Sequence, residues 1–225
     1  MKKISAFFIV ISTLLILFSG AHASDTEVYI GVFGGGVFPS DMEVADTGPS
    51  AIALDDLDLE NGFIVGAKIG LSPKKLSNYL NVELEYNYIS GTDVEEQKFA
   101  NVSGVDINVV ADISINSVFL NFLLRYPKGK IHPYIGIAPG WSWFNFDDAR
   151  LSATVAGLKL VTDARDDSAD EFAFEFLAGA EFDFKNDLAF VLGYRYYYCE
   201  PELDDLELDI EYKAHIFTAG LNIKF

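Results

Sequence analysis

The chain has 225 residues, of which half are hydrophobic, and it carries a formal net charge of −18. Its length fits one domain, and its acidity makes nucleic acid a poor partner. The lone cysteine, Cys199, excludes an intramolecular disulfide. After residue 23, no segment approaches the roughly 18 consecutive apolar residues of a membrane-spanning helix.

The amino terminus has the features of a secretory signal peptide. A basic start with two lysines precedes the apolar run Ala6–Phe18 and a small-x-small cleavage pattern that ends at Ala23. We therefore predict a cleaved signal over residues 1–23 and one mature domain over residues 24–225. Loss of the two lysines takes the formal charge from −18 to about −20. An exported chain without a helical span is either a soluble secreted protein or an outer-membrane barrel.

The mature sequence contains eight strand-like runs separated by turn residues. They lie near Glu27–Phe38, Asn61–Leu71, Tyr79–Ser90, Ile113–Tyr126, Pro133–Phe144, Glu171–Phe184, Leu188–Cys199 and Glu211–Phe225. Short turns alternate with long connections, which are residues 39–60, 91–112, 145–170 and 200–210. This pattern is typical of an all-β fold: an eight-stranded antiparallel up-and-down transmembrane β-barrel with short periplasmic turns and long acidic extracellular loops.

Alternate residues in several runs form apolar sets as long as a membrane-crossing strand, which needs ~9–11 residues. In the fourth run this set is Val118, Leu120, Phe122, Leu124 and Tyr126. Upstream, the same face carries Asp106, Asn108, Asp112, Ser114 and Asn116. The last run changes in the same way between Phe217–Phe225 and His215. A soluble lipocalin-like or sandwich protein is the alternative, but so many Phe and Tyr faces would overfill its core. Gly31 and Gly34–Gly36 leave the faces of the first run unassigned.

Four stretches carry a family resemblance by their order along the chain. They are Tyr29–Gly36 (YIGVFGGG), His132–Gly140 (HPYIGIAPG), Leu192–Tyr196 (LGYRY) and the closing His215–Phe225 (HIFTAGLNIKF). The chain resembles the small outer-membrane β-barrel family, the OmpA/OmpX-like eight-stranded group. The resemblance implies a place in the cell outer membrane, among lipid bilayer and lipopolysaccharide. It also implies that Phe225 belongs to the signal read by the barrel-assembly machinery.

The inward faces of the predicted strands place charge in the lumen. These residues are Lys68, Glu83, Glu85, Arg125, Glu175, Glu181, Asp183, Arg195 and Lys224. An eight-stranded barrel is only wide enough for side chains to fill, and an unpaired buried charge costs several kcal/mol. We therefore predict an ion-pair plug in which Arg125 pairs with Glu83 or Glu85. Arg195 is expected to pair with Glu175 or Glu181. A gate that passes small solutes or ions is the alternative.

Above the charged level, the interior becomes apolar. Its residues are Ile107, Val109, Ile113, Ile115, Ile210 and Tyr212. They form either a packed core or a site for a hydrophobic ligand. We predict no enzyme, no catalytic residue, no cofactor and no metal site. His132 is interpreted as a turn residue and His215 as an interfacial one, and neither has a nucleophile at a suggestive spacing.

Two long connections are strongly acidic. Residues 39–60 hold Asp41, Glu43, Asp46, Asp55, Asp56, Asp58 and Glu60, and residues 200–211 hold Glu200, Glu202, Asp204, Asp205, Glu207, Asp209 and Glu211, with no basic residue in either. They form either a solvated, repulsive rim or a surface on which divalent cations bridge to lipopolysaccharide. The leading hypothesis is therefore a structural or surface-interaction barrel. The alternative is a narrow channel or conduit for small solutes or hydrophobic ligands.

Overall fold

The computed structural model describes residues 26–40, 43–46, 59–73, 79–102, 105–155, 158–161, 165–185, 187–200, 202–203 and 208–225. They form the strands β1 (Thr26–Pro39), β2 (Glu43–Asp46), β3 (Gly62–Pro73), β4 (Leu80–Ser90), β5 (Val94–Val102), β6 (Val105–Arg125), β7 (Ile131–Val155), β8 (Leu158–Val161), β9 (Arg165–Lys185), β10 (Leu188–Cys199), β11 (Glu202–Leu203) and β12 (Leu208–Lys224). Within these ranges, no helix has the length and apolar character needed to cross a membrane.

Eight of these strands close into an antiparallel barrel in which neighbours along the chain are also neighbours in the sheet. The order around the wall is β1, β3, β4, β6, β7, β9, β10 and β12, and β12 pairs back with β1. This last pairing runs from Tyr29 opposite Lys224 to Pro39 opposite Ala214. Closure of this kind leaves the wall without a free edge. The predicted eight-stranded up-and-down fold is confirmed.

The two ends of the barrel differ in their connections. β6 and β7 are joined by residues 126–130, and β9 and β10 by residues 186–187. We call this end, where β1 begins and β12 ends, the short-turn end, and the opposite end the long-connection end. Gly129 in the first of these turns has a φ of 89°, a conformation that glycine adopts without steric cost.

At the long-connection end, the wall extends further than the predicted strands. β6 begins at Val105, β7 continues to Val155 and β9 begins at Arg165, so paired strands occupy much of the predicted connections 91–112 and 145–170. The short strands β5 and β8 pair there with β6 and β7. The sequence boundaries were wrong because they followed the apolar face. Backbone pairing does not require that face, and it continues where the outer residues become polar.

The outer surface carries an apolar belt. Its exposed members include Ile30 and Val32 on β1, Ile135 and Ile137 on β7, Leu192 on β10, and Leu221 and Ile223 on β12. Alternation places these residues outward because successive side chains of a strand point to opposite faces. So many exposed apolar side chains on a closed wall are typical of a surface that faces lipid.

The structure also assigns the faces of β1, which the sequence left open. Tyr29 and Val37 are buried in the lumen, whereas Ile30 and Val32 are exposed on the belt. The inward glycines make room for larger neighbours. A Cβ at Gly31 would lie 2.3 Å from Asn222 Oδ1, and one at Gly70 would lie 2.2 Å from the Tyr29 ring. Glycine on these strands therefore allows polar and aromatic side chains to cross the lumen.

Candidate functional site in the barrel lumen

The middle of the lumen is organised around Arg195 on β10. Its guanidinium donates to both oxygens of Glu85, at 3.0 Å for Nη2 to Oε2, and Nη1 also donates to Glu175 Oε2 at 3.1 Å. Arg195 is 5% exposed, Glu85 1% and Glu175 0%. The guanidinium carbon lies 4.4 Å from the centre of the Phe33 ring, a cation–π distance. A single cation on β10 therefore bridges a carboxylate on the neighbouring strand β9 and a carboxylate on β4, across the barrel.

Glu83 extends this arrangement towards the short-turn end. It accepts hydrogen bonds from Tyr29 Oη at 2.6 Å and from Asn121 Nδ2 at 3.0 Å, and it lies 2.9 Å from Lys68 Nζ. Asn121 Nδ2 also donates to Glu85 Oε2 at 2.9 Å, so a single amide links the two carboxylates of β4. We call the group the central network; its charged members are Lys68, Glu83, Glu85, Glu175 and Arg195.

A second group of charges fills the lumen at the short-turn end. The carboxylate oxygens of Glu181 lie 2.6 Å from Arg125 Nη2, 2.8 Å from Lys224 Nζ and 2.9 Å from Asn222 Nδ2. Lys224 Nζ is also 2.6 Å from Asp183 Oδ1. We call this set, together with His132, the short-turn network. The two networks place every charged residue predicted for the lumen inside the barrel.

The partner of Arg125 differs from the prediction. Arg125 pairs with Glu181 across the lumen and with neither Glu83 nor Glu85 on the adjacent strand. The register explains the difference, because Glu83 stands opposite Asn121, four residues or roughly 13 Å along β6 from Arg125. Arg195 does pair with Glu175, one of its two expected partners, and adds Glu85 from across the barrel.

His132 is also placed differently. It is the second residue of β7 and is buried in the lumen, so the interpretation as a turn residue was wrong. Its Nε2 lies 2.8 Å from Asp183 Oδ2, and its Nδ1 lies 3.0 Å from the Tyr126 carbonyl oxygen. His215 is exposed on β12 at the upper edge of the belt, where its Nδ1 is 2.8 Å from Tyr194 Oη.

Above the central network, aromatic rings fill the lumen. The rings of Phe119 and Tyr197, of Tyr197 and Tyr212, and of Phe144 and Tyr212 meet edge to face, with centroids 6.0, 5.6 and 5.8 Å apart. Tyr197 Oη donates to Ser142 Oγ at 2.7 Å, and this satisfies the hydroxyl inside the apolar level. All four rings are buried. We call this group the aromatic layer.

The predicted apolar interior is described only in part. Ile113, Ile115 and Tyr212 are buried with the aromatic layer, while the side chains at positions 107, 109 and 210 lie outside the described residues. Cys199 is buried beside this layer. A thiol buried in apolar surroundings is a poor nucleophile.

Sequence alternation alone could have identified the amides of these networks, because Asn121 and Asn222 share the inward parity of the charged residues. It could not have identified which charges meet. Opposite walls of the barrel are brought to one level by the tilt and stagger of the strands, and the sequence does not specify these quantities. The histidine was missed because the predicted strand began at Pro133, two residues later than β7 does.

The sequence and the fold both have recognisable relatives. A family model described as outer membrane protein beta-barrel domain matches residues 10–225. No curated protein matches the sequence. Neisserial surface protein A has 14% identity and a TM-score of 0.52, over 88% of this chain and 97% of that one. The outer membrane protein OprG from Pseudomonas aeruginosa has 14% identity and a TM-score of 0.51, over 89% of this chain and 96% of that one. At this identity the two structures share the fold alone.

Proposed function

Because the chain belongs to the family of outer membrane protein β-barrel domains and lies in the cell outer membrane, we propose that it is a structural or surface-interaction barrel with a plugged lumen. In such barrels the short turns face the periplasm and the long connections face the outside, so we orient the short-turn end towards the periplasm. The proposal includes no catalysis and no cofactor. Residues 1–23 would be removed at export, and Phe225 would be read by the barrel-assembly machinery.

The observation that carries the proposal is the filling of the described lumen by buried, mutually bonded side chains. Arg125 and Arg195 each bond carboxylates from another part of the wall, and the aromatic layer covers the central network. A buried ion pair is costly to break because the remaining charge is left without a partner. Solutes would therefore have to displace paired charges and packed rings in order to cross.

Single-channel recording in planar bilayers tests the plug. We expect the wild type to show no stable openings, and the same from Lys213→Met, which removes a partly exposed charge on the outer face. Arg195→Met should introduce openings or current noise, because it removes the bridge between Glu85 and Glu175. Stable wild-type openings that disappear in Arg195→Met or Arg125→Met would overturn the plug. Heat-modifiable gel migration verifies that each variant is folded.

A narrow ion pathway is the second candidate function, and one observation favours it. The central network contains three carboxylates but only two cationic side chains, Lys68 and Arg195. Within the described residues, Glu175 Oε1 is buried without a hydrogen-bond partner. Because one carboxylate oxygen has no partner, the cations of the central network could exchange between carboxylates, as an ion pathway requires. The bilayer recording above separates this candidate from the plug.

We also propose that divalent cations bind between paired strand segments of the long-connection end that carry opposing acidic residues, which we call the acidic ribbons, and link them to lipopolysaccharide phosphates. Three pairs of acidic residues stand directly opposite each other in the register: Glu43 and Glu211, Glu202 and Asp209, and Asp112 and Asp147. Like charges in such positions destabilise a sheet, and a bridging Mg²⁺ or Ca²⁺ relieves the repulsion. Millimolar Mg²⁺ should raise the melting temperature of the barrel in lipopolysaccharide-containing vesicles. A barrel that melts at the same temperature in EDTA and in Mg²⁺ would count against this partner.

A further inference from the structure

We infer that the short-turn network is a binding site for a divalent transition-metal ion such as Zn²⁺, ligated by His132, Glu181 and Asp183. One ligand atom from each residue lies within 4.8 Å of the other two. An imidazole nitrogen and carboxylate oxygens form a donor set that suits Zn²⁺, with bonds of about 2.0–2.2 Å. This site is independent of the proposed surface role and lies at the opposite end of the barrel from the acidic ribbons.

The orientation of the His132 ring is the first argument. A carbonyl oxygen can only accept, so Nδ1 must carry the hydrogen that it shares with Tyr126 O at 3.0 Å. In the neutral ring, Nε2 then presents its lone pair to Asp183 Oδ2, 2.8 Å away. Two lone pairs at this distance require a cation between them, either a proton or a metal ion. A ring N–H held by a backbone carbonyl is also the usual outer-shell contact of a metal-ligating histidine.

The second argument is that a cation already occupies the carboxylates. Lys224 Nζ lies 2.8 Å from Glu181 Oε1 and 2.6 Å from Asp183 Oδ1. The side chain of Lys224 is partly exposed at the mouth, so it can turn towards water. A metal ion and this ammonium would compete for the same two oxygens. Arg125 Nη2 also contacts Glu181 Oε1, and Asn222 Nδ2 donates to Glu181 Oε2, so both would continue to hold this carboxylate.

The third argument is that the site can adjust to metal geometry. Tetrahedral bonds of about 2.0–2.1 Å place ligand atoms roughly 3.3 Å apart, so the His132–Asp183 contact has to open by about half an ångström. The side chain of Asp183 is 33% exposed, and the register between β9 and β10 shifts at the next residues. A bulge loosens the ladder locally and re-aims side chains. Water at the mouth would supply the fourth ligand.

Zinc titration of the folded barrel in detergent micelles tests the site, with the imidazole ¹⁵N resonances as the readout. Residues 24–225 contain two histidines, His132 and His215, so the signals can be assigned by substitution. We expect Zn²⁺ to shift the His132 signals, with unchanged affinity in the matched control His215→Gln. His132→Gln and Asp183→Asn should weaken this binding by at least about ten- to a hundredfold. Shifts confined to His215, or affinity unaffected by His132→Gln, would overturn the proposal.

Competition by the ammonium provides a second, independent test. Lys224→Met should increase the zinc affinity several-fold, because it frees oxygens of Glu181 and Asp183. Lys130→Met is the control, since Lys130 is an exposed lysine at the same end. An equal increase in both variants would mean that net charge alone is responsible, and it would overturn the competition argument. Heat-modifiable migration shows that each variant has folded before it is titrated.

Discussion

At the scale of single residues, Arg195 has the largest consequences. Its guanidinium is the only described cation that reaches both Glu85 and Glu175, and it stacks on Phe33. Removing one member of a buried ion pair costs about 3–5 kcal/mol, because the other charge remains buried alone. The stability of the central network is therefore concentrated in one side chain.

We predict that Arg195→Met lowers the free energy of unfolding by about 3–5 kcal/mol in lipid vesicles, as measured by urea titration of tryptophan fluorescence. Adding Glu85→Gln should restore part of the lost stability, because it neutralises one of the two carboxylates that Arg195→Met leaves without a guanidinium partner. Lys213→Met, which removes an outer-face ion pair with Glu211, should cost no more than about 1 kcal/mol. If Arg195→Met and Lys213→Met lowered the free energy of unfolding equally, the role assigned to Arg195 would be contradicted.

At the scale of strands, the period of two determined what could be predicted. Alternation on the last run predicted Phe217 and Leu221 to point outward and Asn222 to point inward. In the structure the first two are exposed and Asn222 is buried. Alternation fails where glycine removes the contrast, as at Gly34–Gly36 on β1. It also does not record where pairing stops, so the extra strands at the long-connection end were not foreseen. The pairing of Arg125 with Glu181 depends on stagger across the lumen, and the linear sequence contains no signal for it.

The belt gives a depth-dependent prediction for β12. Leu221→Arg, at the middle of the outer apolar face, should reduce the stability of the inserted barrel by ~2–4 kcal/mol. His215→Arg, six residues nearer the long-connection end on the same face, should cost only ~0–1 kcal/mol, since it lies at the belt edge. Reversible folding into lipid vesicles measures both values. Equal penalties would show that the belt does not end near His215.

At the scale of the whole molecule, the barrel combines two kinds of interior. Paired charges occupy the lumen from the short-turn end to its middle, and packed rings such as Phe119 and Tyr212 occupy it above. Neither kind needs a ligand to hold the wall apart. Within the described residues, the barrel therefore has a packed interior of its own, while the belt depends on lipid for its solvation.

The assembly role proposed for Phe225 predicts that its substitution affects insertion into the membrane without affecting the stability of the folded barrel. Phe225→Ala should lower the amount of barrel inserted in the cell outer membrane several-fold, as measured by membrane fractionation and heat-modifiable migration. Its stability in vesicles should hardly change, because the backbone bond from Phe225 N to Val28 O, at 2.8 Å, is retained. Parallel losses in both measurements would assign Phe225 a structural role instead.

The pairing of β1 with β12 has a consequence for the order of folding. All other backbone pairings among the eight wall strands join strands that are consecutive in the wall along the chain, so they can form by successive hairpins. The β1–β12 seam joins the two ends of the domain, and such distant contacts form slowly because a large loop must first be closed. Gly31 and Gly34–Gly36 offer this seam little side-chain packing. We therefore expect the strands to pair first as an open sheet and the β1–β12 pairing to form last. We also expect this pairing to separate first when the barrel is unfolded by force.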